Sequence, residues 1–341
     1  MATINPTGYP LRIQIPQGQF TLTDSDTSEI IYSGTAYPFP GADNAVIDVA
    51  EILRGYITAP HYDNLFNASG TIVNQSGFVY TIKLDASGTT ATNKFIWNYS
   101  AKPGDNSIST AGSTLSKYPD TRVFNGMWLP CTSVYNDHRM IILNSYLNLT
   151  DTGTIHTQFP PIGTGTALNI RLVAVKMNIT SDAKLLYRFY NSTGSRLMSP
   201  YLESQGNCTP DNLYTLYYVN MNGGIDFVHC TGTFKKKTNV TRNSFTSAPM
   251  IDNPAKHSMI NYSTDTYNSY TLNTGFMTDK QSESFQDIFK SPSVWLYDYR
   301  TSGFTAINIT DTSSDVKRKD LNHLFNYTIS ARDSQTYTIN S

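Results

Sequence analysis

Only two segments of this chain place apolar residues at helical spacing, and between them run short strand-like stretches joined by turn residues. That succession constrains the fold most, because consecutive strands without intervening helices pair into sandwiches or barrels. Leu11, Ile13 and Ile15 alternate with polar neighbours at the period of a half-buried strand. Further strands are expected at 29–32 and 78–84, then in RMIILNSYLNLT, ALNIRLVAVKMNIT, KLLYRFY, SVWLYDY, GFTAINITDT and LFNYTISARDS. The first helix is expected in DVAEILRGYI, where Val49, Ile52, Leu53 and Tyr56 form the stripe and Asp48 with Glu51 has capping-box spacing. The second lies in MTDKQSESFQDIFKSP: Thr278 and Gln281 have that spacing, Phe285, Ile288 and Phe289 form the stripe, and Pro292 ends it.

The expected class is therefore mainly β, with two or three β-sandwich or barrel-like domains and two short amphipathic helices. At 341 residues the chain has the length for several cores. The stretch SAKPGDNSISTAGSTLSKYPD, rich in Gly, Ser, Pro and Asn, reads as a surface loop or linker. The expected division is 1–105, an N-terminal β domain with one helix; 106–210, a middle β domain; and 211–341, a C-terminal β domain with one helix. No fixed-period repeat is visible.

Composition narrows the partners. A net charge of -1 with 15% charged residues gives no bulk electrostatic reason to expect specific nucleic acid or an anionic membrane. The first residues lack a basic, then apolar, leader, and no segment approaches the length of a membrane helix; synthesis in a cytosol without export is expected. Cys131, Cys208 and Cys230 are odd in number and lack CxxC spacing, so buried free thiols are expected, with neither a disulfide framework nor a zinc site. Asn-x-Ser/Thr triplets at Asn67, Asn148 and Asn308 are what a chain rich in Asn and Thr produces by chance.

No motif marks a reaction. PIGTGTALNI lacks the Gly-Lys-Ser/Thr ending of a phosphate loop and reads as a turn. His61, His138, His156, His229, His257 and His323 are scattered without HxH or HxxxH spacing. No GxSxG elbow occurs, and the carboxylates of TDSDTSE and LDASG sit where Asp favours local turn hydrogen bonds. No catalytic residue, cofactor or metal ligand is assigned, and the chain is not expected to be an enzyme.

YTLYYVNMNGGIDFVHCTGTFKKKTNVTRNSF, residues 214–245, is the most distinctive stretch. Tyr214, Leu216 and Tyr218 alternate with Thr215, Tyr217 and Val219, so both faces carry bulk and a central strand is expected. Asn222, Gly223 and Gly224 are expected to supply the positive φ values of a tight hairpin. Lys235, Lys236 and Lys237 with Arg242 are the possible interface: they either face an acidic partner or nucleic acid, or form a solvated loop or an edge strand that discourages aggregation. Lys317, Arg318 and Lys319 have the same two readings. Exposed tyrosines suit sugar platforms or subunit contacts, or are ordinary strand residues.

The Asn-x-x-Gly-Gly-x-Asp corner in YTLYYVNMNGGIDF, the following TRNSF, and the ending from YTLNTGFMTDKQSESFQDIFKSP through ITDT to LFNYTISARDSQ resemble a tail-associated protein family of phages and prophages of Bacteroides-type gut bacteria, the crAss-like phages among them. YSGTAYPFPGADNAVIDVAEILRGYI is similar to the opening domain of that family; the middle of the chain is weakly matched. Ile225 departs from the pattern, in which an aromatic follows the double glycine. The resemblance implies a structural virion protein, made in the host cytoplasm and placed in the phage tail as a ring, collar or hub subunit. Its implied partners are further copies of itself and other tail or portal proteins, with the lysines of 235–237 in a loop facing a neighbour. The alternative is a glycan- or receptor-binding module on the tail.

Overall fold

The computed structural model describes residues 4–62, 65, 72–99, 113–134, 138–143, 155–158, 170–177, 183–191, 196–198, 201–205, 213–246, 259–311 and 325–340. The linker reading over 100–112, the PIGTGTALNI turn up to residue 169, Cys208, His257, His323, Asn67, Asn148 and the cluster Lys317, Arg318 and Lys319 lie outside the described residues.

The fold is mostly β, with several sheets and few helices. Contacts divide the chain into two compact units. The first comprises Met1–Thr209, Val219–Asp226 and Lys290–Pro292; the second comprises Pro210–Tyr218, Phe227–Phe289 and Ser293–Ser341.

In the first unit, a five-stranded sheet runs in the order Ile4–Pro6, Thr89–Ile96, Tyr80–Ala86, Gly18–Asp24, Ile30–Ala36. Phe20, Leu22, Ile82 and Leu84 alternate inward along it and are buried. Among the described residues Ile30–Ala36 is one edge and pairs only with Gly18–Asp24. Arg12–Pro16 pairs with Asn44–Asp48 as a separate ribbon. A four-stranded sheet joins Ile72–Gly77, Ile170–Lys176, Trp128–Val134 and Ser113–Thr114, so it draws on sequence from both sides of residue 105. Every residue of Trp128–Val134 is buried, as suits an inner strand covered on both faces. Tyr201–Gln205, Ala183–Asn191 and His138–Leu143 lie within a further six-stranded sheet.

The helix Val49–Leu53 starts at Asp48, whose carboxylate accepts from the amides of Ala50, Glu51 and, outside the helix, Leu11. Asp48 therefore caps the helix and ties it to the ribbon; the return bond from Glu51 that would complete a capping box does not accompany it.

The second unit is built on an eight-stranded sheet, nearly all of it within that unit, in the order Ile225–Cys230, Tyr214–Val219, Val294–Asp298, Gly303–Ile309, Phe325–Asp333, Met259–Met277, Phe234–Thr246, with Tyr337–Asn340 also on Met259–Met277. Tyr214 and Phe234, from near opposite ends of this order, stack with ring centroids 3.9 Å apart. The sheet therefore folds over, and its halves enclose one core that includes Leu216, Tyr218, Leu272, Leu296, Ile329 and Phe285. The helix Asp279–Phe285 closes the core, capped as its sequence predicts: the Thr278 hydroxyl accepts from the Gln281 amide while the Gln281 side chain accepts from the Thr278 amide. A 3₁₀ turn, Gln286–Lys290, then buries Ile288.

Tyr214–Val219 is the inner strand expected, buried on both faces and paired on both sides, and it turns into Ile225–Cys230 through a tight hairpin, while Phe234–Thr246 lies at the other end of the strand order. The expectation for the turn residues changes. Only Gly223 takes a positive φ, at 84°, while Asn222 and Gly224 do not.

Candidate functional site

Two features stand out: a corner locked by polar bonds in the first unit, and a long exposed ribbon in the second.

At the corner, the Gly223 amide donates to the Asn220 carbonyl at 3.0 Å and the Asn220 amide to the Gly224 carbonyl at 2.8 Å. With the left-handed Gly223, this is a three-residue hairpin loop ending in a glycine bulge. The Asn220 Oδ1 accepts from the amides of Asn222 and Gly224, holding the loop from inside. Its Nδ2 donates to the Leu115 carbonyl and to Asp226 Oδ2, each at 2.8 Å. Asp226 Oδ1 accepts from the Lys117 amide, and the Ser116 hydroxyl donates to the Ile225 carbonyl. The Tyr62 hydroxyl donates to the Gly223 carbonyl.

The side chains of this network, Tyr62, Ser116, Asn220 and Asp226, are all buried. Burial raises the Tyr62 phenol well above its usual value, and nearby Asp226 adds to that shift. Burial pushes the Cys131 thiol up as well. Buried polar groups that are bonded in this way fix geometry.

The ribbon pairs Phe234–Thr246 with Met259–Met277 in an antiparallel ladder carrying a bulge between Asn243 and Ser244. Its 13-residue strand spans about 40 Å at the usual rise. Lys235, Lys236, Lys237 and Arg242 lie on this strand, all exposed, and not in a loop. Among the described residues the strand pairs on one side only, so the edge-strand reading of the lysines fits their position. The Lys236 ammonium lies 5.9 Å from the centre of the Tyr270 ring.

Past Asn268 the ribbon leaves the core, and side chains staple it: Thr238 to Asn268, Asn239 to Ser269 and Asn243 to Ser263, each at 2.9 Å. By strand alternation Val240 and Arg242 share the face on which Phe234 enters the core. The ladder places Tyr337 and Ile339 on that same face. Tyr337 and Ile339 are 59% and 65% exposed, so the core face continues beyond the core without a cover. Phe245, Met259, Ile260 and Tyr262 are exposed further along. Met259–Met277 escaped sequence reading because INYSTDTYNSYT has almost no apolar alternation; the Thr, Tyr and Ile content suited to strands was its only signal.

Thr215 Oγ1 meets His229 Nδ1 at 2.9 Å and the Tyr299 hydroxyl at 2.8 Å. Thr215 is fully buried, so this trio is a hydrogen-bond junction within the sheet, and burial raises the Tyr299 phenol. A shallow depression beside Asp85 and Thr90 is lined by Phe20, Ala86 and Ser87; Asp85 is half-buried there, and Lys83, then Thr90, lower its carboxyl. Among the described residues no group of three or more His, Cys, Asp or Glu side chains could hold a metal, and no helix is long and apolar enough to cross a membrane.

No family model matches the chain, and no curated protein matches it. Among solved structures, it is similar to fibronectin(III)-like modules of Clostridium thermocellum CbhA at 9% identity and a TM-score of 0.15, covering 60% of this chain and 88% of that one. It is also similar to extracellular domains 3-5 of Drosophila OTK, at 8% identity and a TM-score of 0.22, covering 80% and 89%. Domains 4 and 5 of the S-layer protein SbsC match at 7% identity and a TM-score of 0.15, covering 55% and 98%. Likenesses at this level carry no argument about function.

Proposed function

We propose that this chain is a structural protein of a phage virion, a ring, collar or hub subunit of the tail, built from β-sandwich-like domains and working without catalysis or cofactor. One observation carries the assembly reading: the ribbon of Phe234–Thr246 and Met259–Met277 extends its core face into solvent with Val240, Tyr337 and Ile339 uncovered. An apolar face rimmed by cations suits a surface that another protein covers. The phage assignment itself rests on the sequence resemblance at the glycine corner and at the two ends of the chain. In this reading the chain is made in the host cytoplasm, joins further copies and other tail or portal proteins, and engages neither membrane nor specific nucleic acid.

Light scattering with negative-stain microscopy across a range of concentrations tests the reading: a closed ring is expected, and a strict monomer at every concentration counts against it. A second reading, a glycan- or receptor-binding module on the tail, is favoured by Tyr37 and Phe39, each 73% exposed. In that case Tyr37→Ala and Phe39→Ala lose binding on a glycan array while the oligomeric state is unchanged.

A further inference from the structure

We infer that the basic ribbon of one copy docks on the acidic, aromatic edge around Glu29–Phe39 of a second copy, giving a head-to-tail contact. The inference rests on the assembly reading above and specifies which surfaces meet. Charge complementarity within the one sequence points to a second copy as the occupant. The strand Phe234–Thr246 carries four cations, Lys235, Lys236, Lys237 and Arg242, and no carboxylate. On the neighbouring strand Asp265 is already engaged by the Thr338 hydroxyl at 2.6 Å.

The opposite surface lies in the first unit. Between Arg12 and Arg54 the sequence holds six carboxylates and no Lys, Arg or His. Asp26, Glu29, Asp43 and Glu51 among them are exposed. The Ile30–Ala36 strand begins directly after Glu29 and, among the described residues, is an edge that pairs on one side only. Exposed apolar side chains accompany the charge: Ile30 at 64%, Tyr32 at 43%, and Tyr37 and Phe39 beyond the strand. The Tyr32 ring lies over Gly34, where a Cβ would meet it at 2.7 Å, and packs against Phe20 at 5.7 Å. The aromatic is thus held in place at the edge instead of trailing in solvent.

Each surface pairs apolar area with one sign of charge, and the signs are opposite. Like surfaces would repel, so neither ribbon-to-ribbon nor edge-to-edge contact is favoured. Two different surfaces joined in this way repeat around an axis and close a ring where the rotation permits. The charges steer the encounter and fix its register, while the apolar residues are what it buries.

The test uses full-length chains in sedimentation velocity: wild type, Lys235→Glu/Lys236→Glu/Lys237→Glu, Asp26→Lys/Glu29→Lys, and an equimolar mixture of the two variants. The wild type assembles, and its assembly weakens as salt rises. Each variant alone loses association by at least about ten-fold, on the order of 1.4 kcal/mol. The mixture recovers, because the acidic ribbon of one variant meets the basic edge of the other and the two wild-type surfaces meet in alternation. Recovery also shows that both variants are folded. Assembly of the single variants at wild-type strength overturns this contact and leaves the assembly reading standing. Loss in both variants without recovery in the mixture likewise overturns it. A wild type that stays monomeric at every concentration overturns the contact and the assembly reading together.

Discussion

The Asn220 side-chain amide donates to the Asp226 carboxylate at 2.8 Å across the loop that holds Gly223 and Gly224. Four residues of one short sequence pattern thus act together. Asn220 organises the loop and reaches the Leu115 carbonyl, the glycines admit neighbouring backbone, and Asp226 receives both Asn220 and the Lys117 amide. Asp226→Ala leaves one N–H of the buried Asn220 side-chain amide and the part-buried Lys117 amide without their acceptor, and an unsatisfied buried group costs roughly 1–3 kcal/mol in stability. Chemical denaturation of the variant should show that loss. A variant as stable as wild type would mean that the network contributes nothing net.

The two glycines fail for different reasons when replaced. At Gly223 an added Cβ would meet the Trp97 carbonyl oxygen at 2.6 Å, and φ there is +84°. At Gly224 the φ is ordinary, but the Cβ would lie 2.5 Å from the Leu115 carbonyl carbon. Gly126, with φ +80° and open space around it, isolates the conformational cost, about 1–2 kcal/mol. Thermal melts of the three alanine variants should therefore place Gly126→Ala as the mildest and Gly223→Ala as the most severe, since it combines strain with a backbone clash.

The sequence was most legible where a local signal coincided with burial. The Thr278 cap, the Phe285 and Ile288 stripe and the strands around Tyr214 and Val294 carry their own period and stop signals. Gly223 was recognised as a turn residue, but the role of Gly224 depends on the Leu115 backbone, 109 residues away, and no local pattern encodes that approach. The lysines were visible and an edge strand was one of the readings they allowed, but the choice among those readings was not legible, because which strand ends a sheet is settled by pairing with Met259–Met277, a strand that carries little apolar alternation. The edge at Ile30–Ala36 was missed as a surface for the same reason: its apolar content reads as core until the strand order shows one side unpaired.

At the end of the second unit's core, the Tyr270 hydroxyl donates to Asp333 at 2.6 Å, and Asp333 also accepts from the Asn268 amide and side chain. Tyr270→Phe removes a bond to a charged group, with an expected cost of about 1.5–3 kcal/mol. A urea titration measures it. A cost near zero would show that Asn268 alone satisfies the carboxylate.

Alkali should unfold this protein. Burial, then the Asp333 bond, raise the Tyr270 phenol above its ordinary 10.0, and burial raises Cys230 from 9.0 to about 12. Groups whose pKa is raised by folding contribute stability that is intact below the unfolded value and lost as pH climbs toward the folded one. The Cys230 contribution is thus full below pH 9.0 and fades toward about 12; the tyrosine contribution begins to fade near pH 10.0. Urea midpoints measured at rising pH should be flat up to about 9 and then fall, with the share of tyrosinate absorbance that belongs to the buried phenols appearing only on unfolding. Tyrosinate absorbance that reaches its full value while the protein is still folded would contradict the burial of these phenols.

The two buried thiols give a complementary readout of local opening. Cys131 and Cys230 are both buried, and both thiols are pushed up by loss of solvent, so neither supplies thiolate at neutral pH. In a Cys208→Ser background, a thiol reagent at pH 8 should modify neither residue until denaturant is added. Cys131 lies in a fully buried inner strand of the first unit and Cys230 in the folded sheet of the second, so their labelling rates under mild denaturant report the two units separately. Equal rates at every denaturant concentration indicate that the units unfold together. Earlier labelling of one thiol identifies the less stable unit, and labelling of either in native buffer would show that its strand opens readily without denaturant.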